Sequence, residues 1–184
     1  MNILAISGSL RAASINSAFC RAAVQLAPAS IRVSVFNGIS ALPLFNPDLE
    51  IDPPSSVLAF RNAVGDANAL VIASPEYAHG ISGVMKNALD WLVSFEGFIN
   101  KPVAIINTSS RAHLADASLK EILQTMSACI LSEASVTIPI PRICATEAAI
   151  VASPEISEKI QTTLQVIATS LSSDYAARST FSLN

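Results

Sequence analysis

Ser7, Gly8, Ser9, Arg11, Ser14 and Asn16 lie within ten positions, directly after a short apolar run and directly before a stretch of helical period. This combination can hold an anion. A helix N-terminus presents unpaired N–H groups and the positive end of its dipole. Ser9, Ser14 and Asn16 add short polar side chains. Arg11 adds a permanent charge whose fork matches phosphate oxygens, and Gly8 admits a backbone turn that a Cβ would hinder. Read alone, Ser14 or Asn16 is equally at home as a helix N-cap, a purely structural role. Two further polar segments follow apolar runs in the same way: Ser74, Pro75, Glu76, Tyr77, Ala78, His79 and Gly80, and then Thr108, Ser109, Ser110 and Arg111.

The nature of the anion is narrowed by what the first segment lacks. A dinucleotide fingerprint needs three spaced glycines and an acidic residue closing the second strand. Here there is one glycine, and that strand ends Val35, Phe36, Asn37. No Gly-Lys-Ser/Thr phosphate loop occurs either. A hydroxyl-rich turn suits a terminal phosphate monoester, and a mononucleotide such as FMN meets that description. The second segment suits the flat half of such a ligand. Pro75 makes a rigid turn, Tyr77 offers an aromatic face, and N–H groups around Glu76 and Tyr77 can read the polar edge of a ring. Each also has a plain reading: Pro75 as a strand terminator, Tyr77 as a packed ring, Glu76 as a solvated charge. Their shared location is what joins them.

The elements that must position these loops are apolar runs of strand length alternating with helical patterns. Residues 2–6, 31–36, 69–73, 103–107 and 136–138 read as strands. Most are continuous apolar runs, as in parallel strands buried on both faces. Residues 17–26, 57–64, 83–92, 119–130 and a last stretch from Pro154 through Leu171 read as helices. Five β-α units predict an α/β fold: a doubly wound, five-stranded parallel sheet with helices on both faces and right-handed crossovers. Ligands in such sheets bind beyond the carboxyl ends of the strands, where all three polar segments fall. Residues 38–54, rich in proline, read as a surface loop. The whole of 1–184 reads as one domain, with 172–184 a loosely held tail.

Composition excludes other classes. Of 184 residues 51% are hydrophobic and 14% charged, with a formal net charge of −3. A disordered chain needs the opposite balance. No Lys/Arg run provides a nucleic-acid footprint, and no apolar run reaches the roughly 18 residues of a membrane helix. The start lacks the basic segment of a signal peptide. Cys20, Cys129 and Cys144 fit neither a zinc site nor a disulfide framework, which points to a reducing cytoplasm. The low charge also implies that part of the surface is covered, most simply by another copy of the chain.

Gly8-Ser9-Leu10-Arg11 with Ser14 and Asn16, then Pro75-Glu76-Tyr77, then Lys86-Asn87-Ala88-Leu89-Asp90-Trp91, together resemble the NADPH-dependent FMN reductase family, the flavodoxin-like group that includes quinone and chromate reductases. The resemblance runs over roughly residues 1–170. It implies a flavodoxin-like sheet of order 2-1-3-4-5, with Ser9, Arg11, Ser14, Ile15 and Asn16 holding the FMN phosphate. Pro75, Glu76 and Tyr77 would line the isoalloxazine, and Ser109 and Arg111 would close the other side. It further implies hydride transfer from NADPH or NADH to the flavin, then to a small-molecule acceptor: a quinone, metal oxyanion, azo compound or free flavin. Members of the family are usually dimers or tetramers. Two departures stand out: Ala78-His79 where the family commonly has asparagine and serine, and a glycine-free loop after the fourth strand. Larger side chains there would narrow the room above a flavin.

The cofactor carries the chemistry in such enzymes, so no catalytic acid, base or nucleophile is assigned. His79 and His113 read as solvated, and Arg111 either attracts the donor's second phosphate, braces FMN or is solvated. The helix that starts at Gly83 and ends at Leu92 carries Met85, Leu89, Trp91 and Leu92 around more than one side. This favours a homodimer or homotetramer interface over burial within the monomer. Two other functions fit the same fold: a flavodoxin-type electron carrier, though such carriers are usually more acidic, and a flavin-free binding protein.

Overall fold

The computed structural model describes the backbone of residues 1–181 and side-chain environments through residue 173. Its central sheet is formed by β1 (Asn2–Ser7), β2 (Arg32–Val35), β3 (Ala69–Ala73) and β6 (Pro102–Asn107), with two short strands beyond β6, β7 (Cys129–Ile130) and β8 (Val136–Thr137). The order is β2-β1-β3-β6-β7, and β8 also pairs with β6. Every pairing in it is parallel. A separate antiparallel hairpin, β4 (Glu76–Tyr77) and β5 (Gly80–Ile81), stands at the carboxyl end of β3. The expected 2-1-3-4-5 sheet is therefore present, with its fifth position shared.

The strand read at 136–138 is present as β8, and β7 adds a second strand that the sequence reading placed in a helix. β7 runs beside Pro102 and Val103, whereas β8 runs beside Ile106 and Asn107. Between them the chain leaves the ladder through a 3₁₀ turn at Ser132–Ala134. The gap is bridged by a side chain, because the Ile105 N–H donates to Ser135 Oγ at 3.1 Å. A buried donor is thus satisfied without a strand partner.

Alternation along the strands builds two cores. Ile3, Ala5, Val71, Ala73, Ala104 and Ile106 face α1 (Ile15–Leu26), α5 (Glu147–Ala152) and α6 (Pro154–Phe181). Leu4, Ile6, Leu70, Ile72, Val103 and Ile105 face α2 (Ser55–Asp66), α3 (Gly83–Asp90) and α4 (His113–Thr125). Alanines at the first interface, on the strands and at positions 18, 22 and 23 of α1, let that helix lie close to the sheet. α1 ends at Ala27, held extended by the following Pro28.

Three helical expectations need correction. The apolar stripe read through Ile130 overruns α4, which ends at Thr125; Ser127, at φ 61°, turns the chain, and Ile130 belongs to β7. The last helix, read as far as Leu171, runs on to Phe181, and residues 182–184 of the expected tail lie outside the described residues. Thirdly, Met85, Leu89, Trp91 and Leu92 are all at most 2% exposed within the monomer. Their many-sided apolarity is accounted for by the sheet on one side and the 38–54 loop on the other, so it calls for no second subunit. Asn87 Nδ2 and Trp91 Nε1 both donate to the Pro43 carbonyl, at 2.9 and 2.8 Å, and Phe45 N–H donates to Asn87 Oδ1. The buried Arg61 holds the far end of that loop, with both Glu50 oxygens within 2.9 Å of its Nη2 and its Nε on the Trp91 carbonyl.

Candidate functional site

The turn after β1 is anchored at its base and open at its tip. The Gly8 N–H donates to the Ala73 carbonyl at 2.9 Å, continuing the β1–β3 pairing. The Ser82 hydroxyl donates to the Gly8 carbonyl at 2.6 Å and, as N-cap of α3, accepts from Met85 N–H at 3.1 Å. A Cβ at Gly8 would lie 2.5 Å from Ser74 Oγ and 3.0 Å from both Ser74 Cβ and Ser82 Oγ. Its φ is not positive. Glycine is therefore required by close approach of β3's end and α3's start, not by a left-handed turn.

Beyond Gly8, Ser9 N–H faces Ser7 Oγ and Arg11 N–H faces Ser9 Oγ, both at a long 3.4 Å. Ser14 caps α1, accepting from Ser17 N–H at 3.3 Å, so the capping reading of Ser14 holds. Among the described residues, the amides of Leu10, Ala12, Ala13, Ser14, Ile15 and Asn16 donate to no protein group. Such a row of free N–H groups at the start of a twelve-residue helix is an anion nest. Arg11 is exposed beside it and has no carboxylate partner among the described residues.

Asn16 is 7% exposed and sits differently from a free ligand group. Its Oδ1 accepts from the Thr108 hydroxyl at 2.9 Å. This bond ties the turn after β1 to the loop after β6, across 92 residues. The latter loop is folded by its own side chains: Ser109 N–H donates to Asn107 Oδ1 at 3.0 Å, Asn107 Nδ2 donates to the Ala112 carbonyl at 3.0 Å, and Arg111 N–H approaches Ser109 Oγ at 3.3 Å. Arg111 and Ser110 are exposed, and Ser109 partly so.

The hairpin forms the third wall. Pro75 and Glu76 are partly buried, while Tyr77 is 52% exposed and presents its ring outward. Ala78 and His79 make the two-residue turn, with φ of 49° and 61°. That conformation is usually left to Asn and Gly. The plain reading of Glu76 as a solvated charge is corrected. Its Oε2 accepts from Ala115 N–H at 2.9 Å, in the first turn of α4, and its Oε1 lies 3.4 Å from His79 Nδ1. The Ala115 bond, helped by His79 and the Leu114 N–H, holds the Glu76 carboxyl below its ordinary value despite partial burial. His79 and His113 are exposed, as the sequence reading had them.

The structure thus gathers Ser9, Arg11, Ser14, Ile15, Asn16, Pro75, Glu76, Tyr77, Ser109 and Arg111 onto the three segments at the carboxyl edge of β1, β3 and β6. The sequence reading passed over Ser82 and gave Ser74 and Thr108 a place in the polar segments but no role. Ser82 carried a signal, a serine directly before an apolar helical pattern. Thr108 carried none, because its partner lies on another β-α unit. The arrangement offers free donors and a guanidinium for a phosphate, and an aromatic ring with adjacent backbone for a planar group. The cradle at Gly8 and the unpartnered amides fit an FMN-sized monoester.

Known proteins agree in pattern. An NAD(P)H-dependent FMN reductase of Pseudomonas aeruginosa is 39% identical over 113 residues, 60% of each chain. The quinone reductase of Escherichia coli is 31% identical over 141 residues, 72% of this chain and 74% of that one. The chain spans about 60% of the first of these relatives. Among solved structures, an NAD(P)H:acceptor oxidoreductase of Paracoccus denitrificans shares the fold at TM-score 0.69, covering 91% of this chain and 97% of that one at 24% identity. The profile of the NADPH-dependent FMN reductases matches residues 1–142, a span that holds all three loops, and the chain belongs to that family.

Proposed function

We propose that the chain is an FMN-dependent oxidoreductase that draws reducing equivalents from NADPH or NADH and delivers them in pairs to a small acceptor, a quinone first among the classes considered. The observation that carries this reading is the set of amides at Leu10 and from Ala12 to Asn16 that have no protein acceptor, beside the exposed Arg11 side chain with no carboxylate partner, both among the described residues. The names of the relatives, FMN reductase and quinone reductase, support it.

In this reading the amides of residues 12–16, with Ser9 and Arg11, hold the phosphate. Thr108 and Asn16 keep the first and third loops at a fixed separation. Pro75 and Tyr77 border the ring, with Ser109 and Arg111 opposite. Bound FMN supplies the two-electron redox chemistry, and the protein supplies position and electrostatics. Arg111, exposed and without a carboxylate partner among the described residues, attracts the anionic donor to the open edge.

We further place the protein in the cytoplasm, where the exposed thiol of Cys129 stays reduced, and assign it a homo-oligomer. Support for the latter comes from exposed apolar side chains, Leu10, Tyr77 and Leu114 at the carboxyl edge and Leu44 and Ile51 on the 38–54 loop, and not from α3. NADPH oxidation followed at 340 nm, with FMN and a benzoquinone supplied together, tests the function. Oxidation that requires both is expected. FMN binding without NADPH oxidation would leave an electron carrier, and no FMN binding would end the proposal.

A further inference from the structure

Glu76 belongs to the hairpin beside the ring position, yet its side chain turns away from the open edge. It reaches across to α4, whose own N-cap residue, Ala112, has no side-chain acceptor. Glu76 Oε2 takes the Ala115 N–H at 2.9 Å, the third residue of that helix. A helix start left without an acceptor is ordinarily capped from its own chain. Here the cap is delivered from 39 residues away, by the hairpin after β3.

Two features make this contact more than a cap. Glu76 adds a specific hydrogen bond to the packing of the hairpin on α4. Each of its strands is two residues long, and both turn residues, Ala78 and His79, sit in the left-handed region that L side chains rarely adopt. And α4 begins directly after the loop bearing Ser109 and Arg111. The carboxylate therefore ties the hairpin to the helix that follows the third loop.

We propose that Glu76 is a positioning residue: by its reach to the Ala115 amide it fixes the β4–β5 hairpin against α4 and sets the gap in which the flavin ring lies. This rests on the function proposed above. Reach, not charge, is the essential property. Glu76→Asp keeps the charge and shortens the side chain by one methylene; Glu76→Gln keeps the length and an acceptor oxygen but removes the charge.

Two readouts test it on the full chain. The first uses FMN-free protein: amide hydrogen exchange at Leu114, Ala115 and Tyr77. The second uses the FMN-loaded protein: the visible circular dichroism of the bound flavin and its dissociation constant. In Glu76→Asp we expect exchange at Ala115 at least tenfold faster, an altered flavin dichroism and a roughly tenfold weaker FMN complex. Glu76→Gln recovers most of each loss. Should Asp behave as wild type while Gln does not, charge is what matters and the proposal is overturned. It is equally overturned if both variants leave the dichroism unchanged. Wild-type protein that binds no FMN removes the proposed function instead, and the exchange data on FMN-free protein still decide whether the latch exists.

Discussion

Gly8→Ala is the most local perturbation of the turn after β1, and its cost follows from three contacts. The added methyl would sit 2.5 Å from Ser74 Oγ, 3.0 Å from Ser74 Cβ and 3.0 Å from Ser82 Oγ. The Ser74 hydroxyl can rotate at small cost, since its own bonds are long, 3.4 and 3.5 Å. Its Cβ cannot, so β3's end or the turn must shift by a few tenths of an ångström. Overpacking of this kind costs about 1–3 kcal/mol. The same shift loosens the 2.6 Å bond from Ser82 to the Gly8 carbonyl, worth about 1 kcal/mol more. The sum is about 2–4 kcal/mol. At about 2–4 °C per kcal/mol for a domain of this size, FMN-free protein should melt roughly 5–15 °C lower. Because φ at Gly8 is not positive, the penalty is steric and removable. Adding Ser74→Gly should recover more than half of it, judged against Ser74→Gly alone in urea titrations. A Gly8→Ala stability within about 0.5 kcal/mol of wild type, or no recovery in the double variant, would refute the steric account.

Arg11→Ala should weaken FMN binding by roughly 10- to 100-fold, the worth of one charge-assisted contact, more than loss of any other side chain in the turn; isothermal titration reads this directly. Arg61→Met should cost about 2–3 kcal/mol in urea titration, because it leaves the Trp91 carbonyl without this donor and Glu50 with Ser94 alone. For Glu50, burial pushes the carboxyl up, but hydrogen bonds from Arg61 and Ser94 and the Arg61 charge outweigh it, and the net shift is downward. Glu76 is shifted downward as well. Both groups therefore stabilise the fold above the ordinary carboxylate value of 4.5 and lose that contribution as pH falls through their lower folded values. Melting temperature should drop below about pH 4.5, and less steeply in Glu50→Gln. Burial pushes the Cys20 thiol up to about 12, so iodoacetamide should label the exposed Cys129 in native protein and spare Cys20, as peptide mass spectrometry would show.

Strands buried on both faces were the most legible part of the chain. β1 and β3 are continuous apolar runs that stop at Gly8 and Pro75, and they fall within a residue of where their sequence places them. The fifth sheet position was half legible. The strand read at 136–138 is β8, whereas the two residues of β7 leave no periodic trace, and Ile130 continues the α4 stripe by spacing alone although the chain has already turned at Ser127. The same limit applies to the site. Which loops meet at the carboxyl edge follows from β-α alternation. The bonds that fix their mutual positions, Thr108 to Asn16, Ser82 to Gly8 and Ala115 to Glu76, join residues 92, 74 and 39 positions apart. No local pattern announces such pairs. The apolar character of α3 misled for a related reason. A helix sandwiched between a sheet and a long loop shows the same composition as one at a subunit interface, and only the bonds from Asn87 and Trp91 to Pro43 tell them apart.

The central claim is that the turn after β1 holds a phosphate monoester. Comparing the dissociation constants of FMN and riboflavin for the same protein isolates that group, since the two differ by the phosphate alone. FMN should bind at least 100-fold more tightly, with the Leu10 to Asn16 amides shifting in the nitrogen–proton spectrum for FMN and not for riboflavin. Equal affinities, or shifts confined to other loops, would contradict the account.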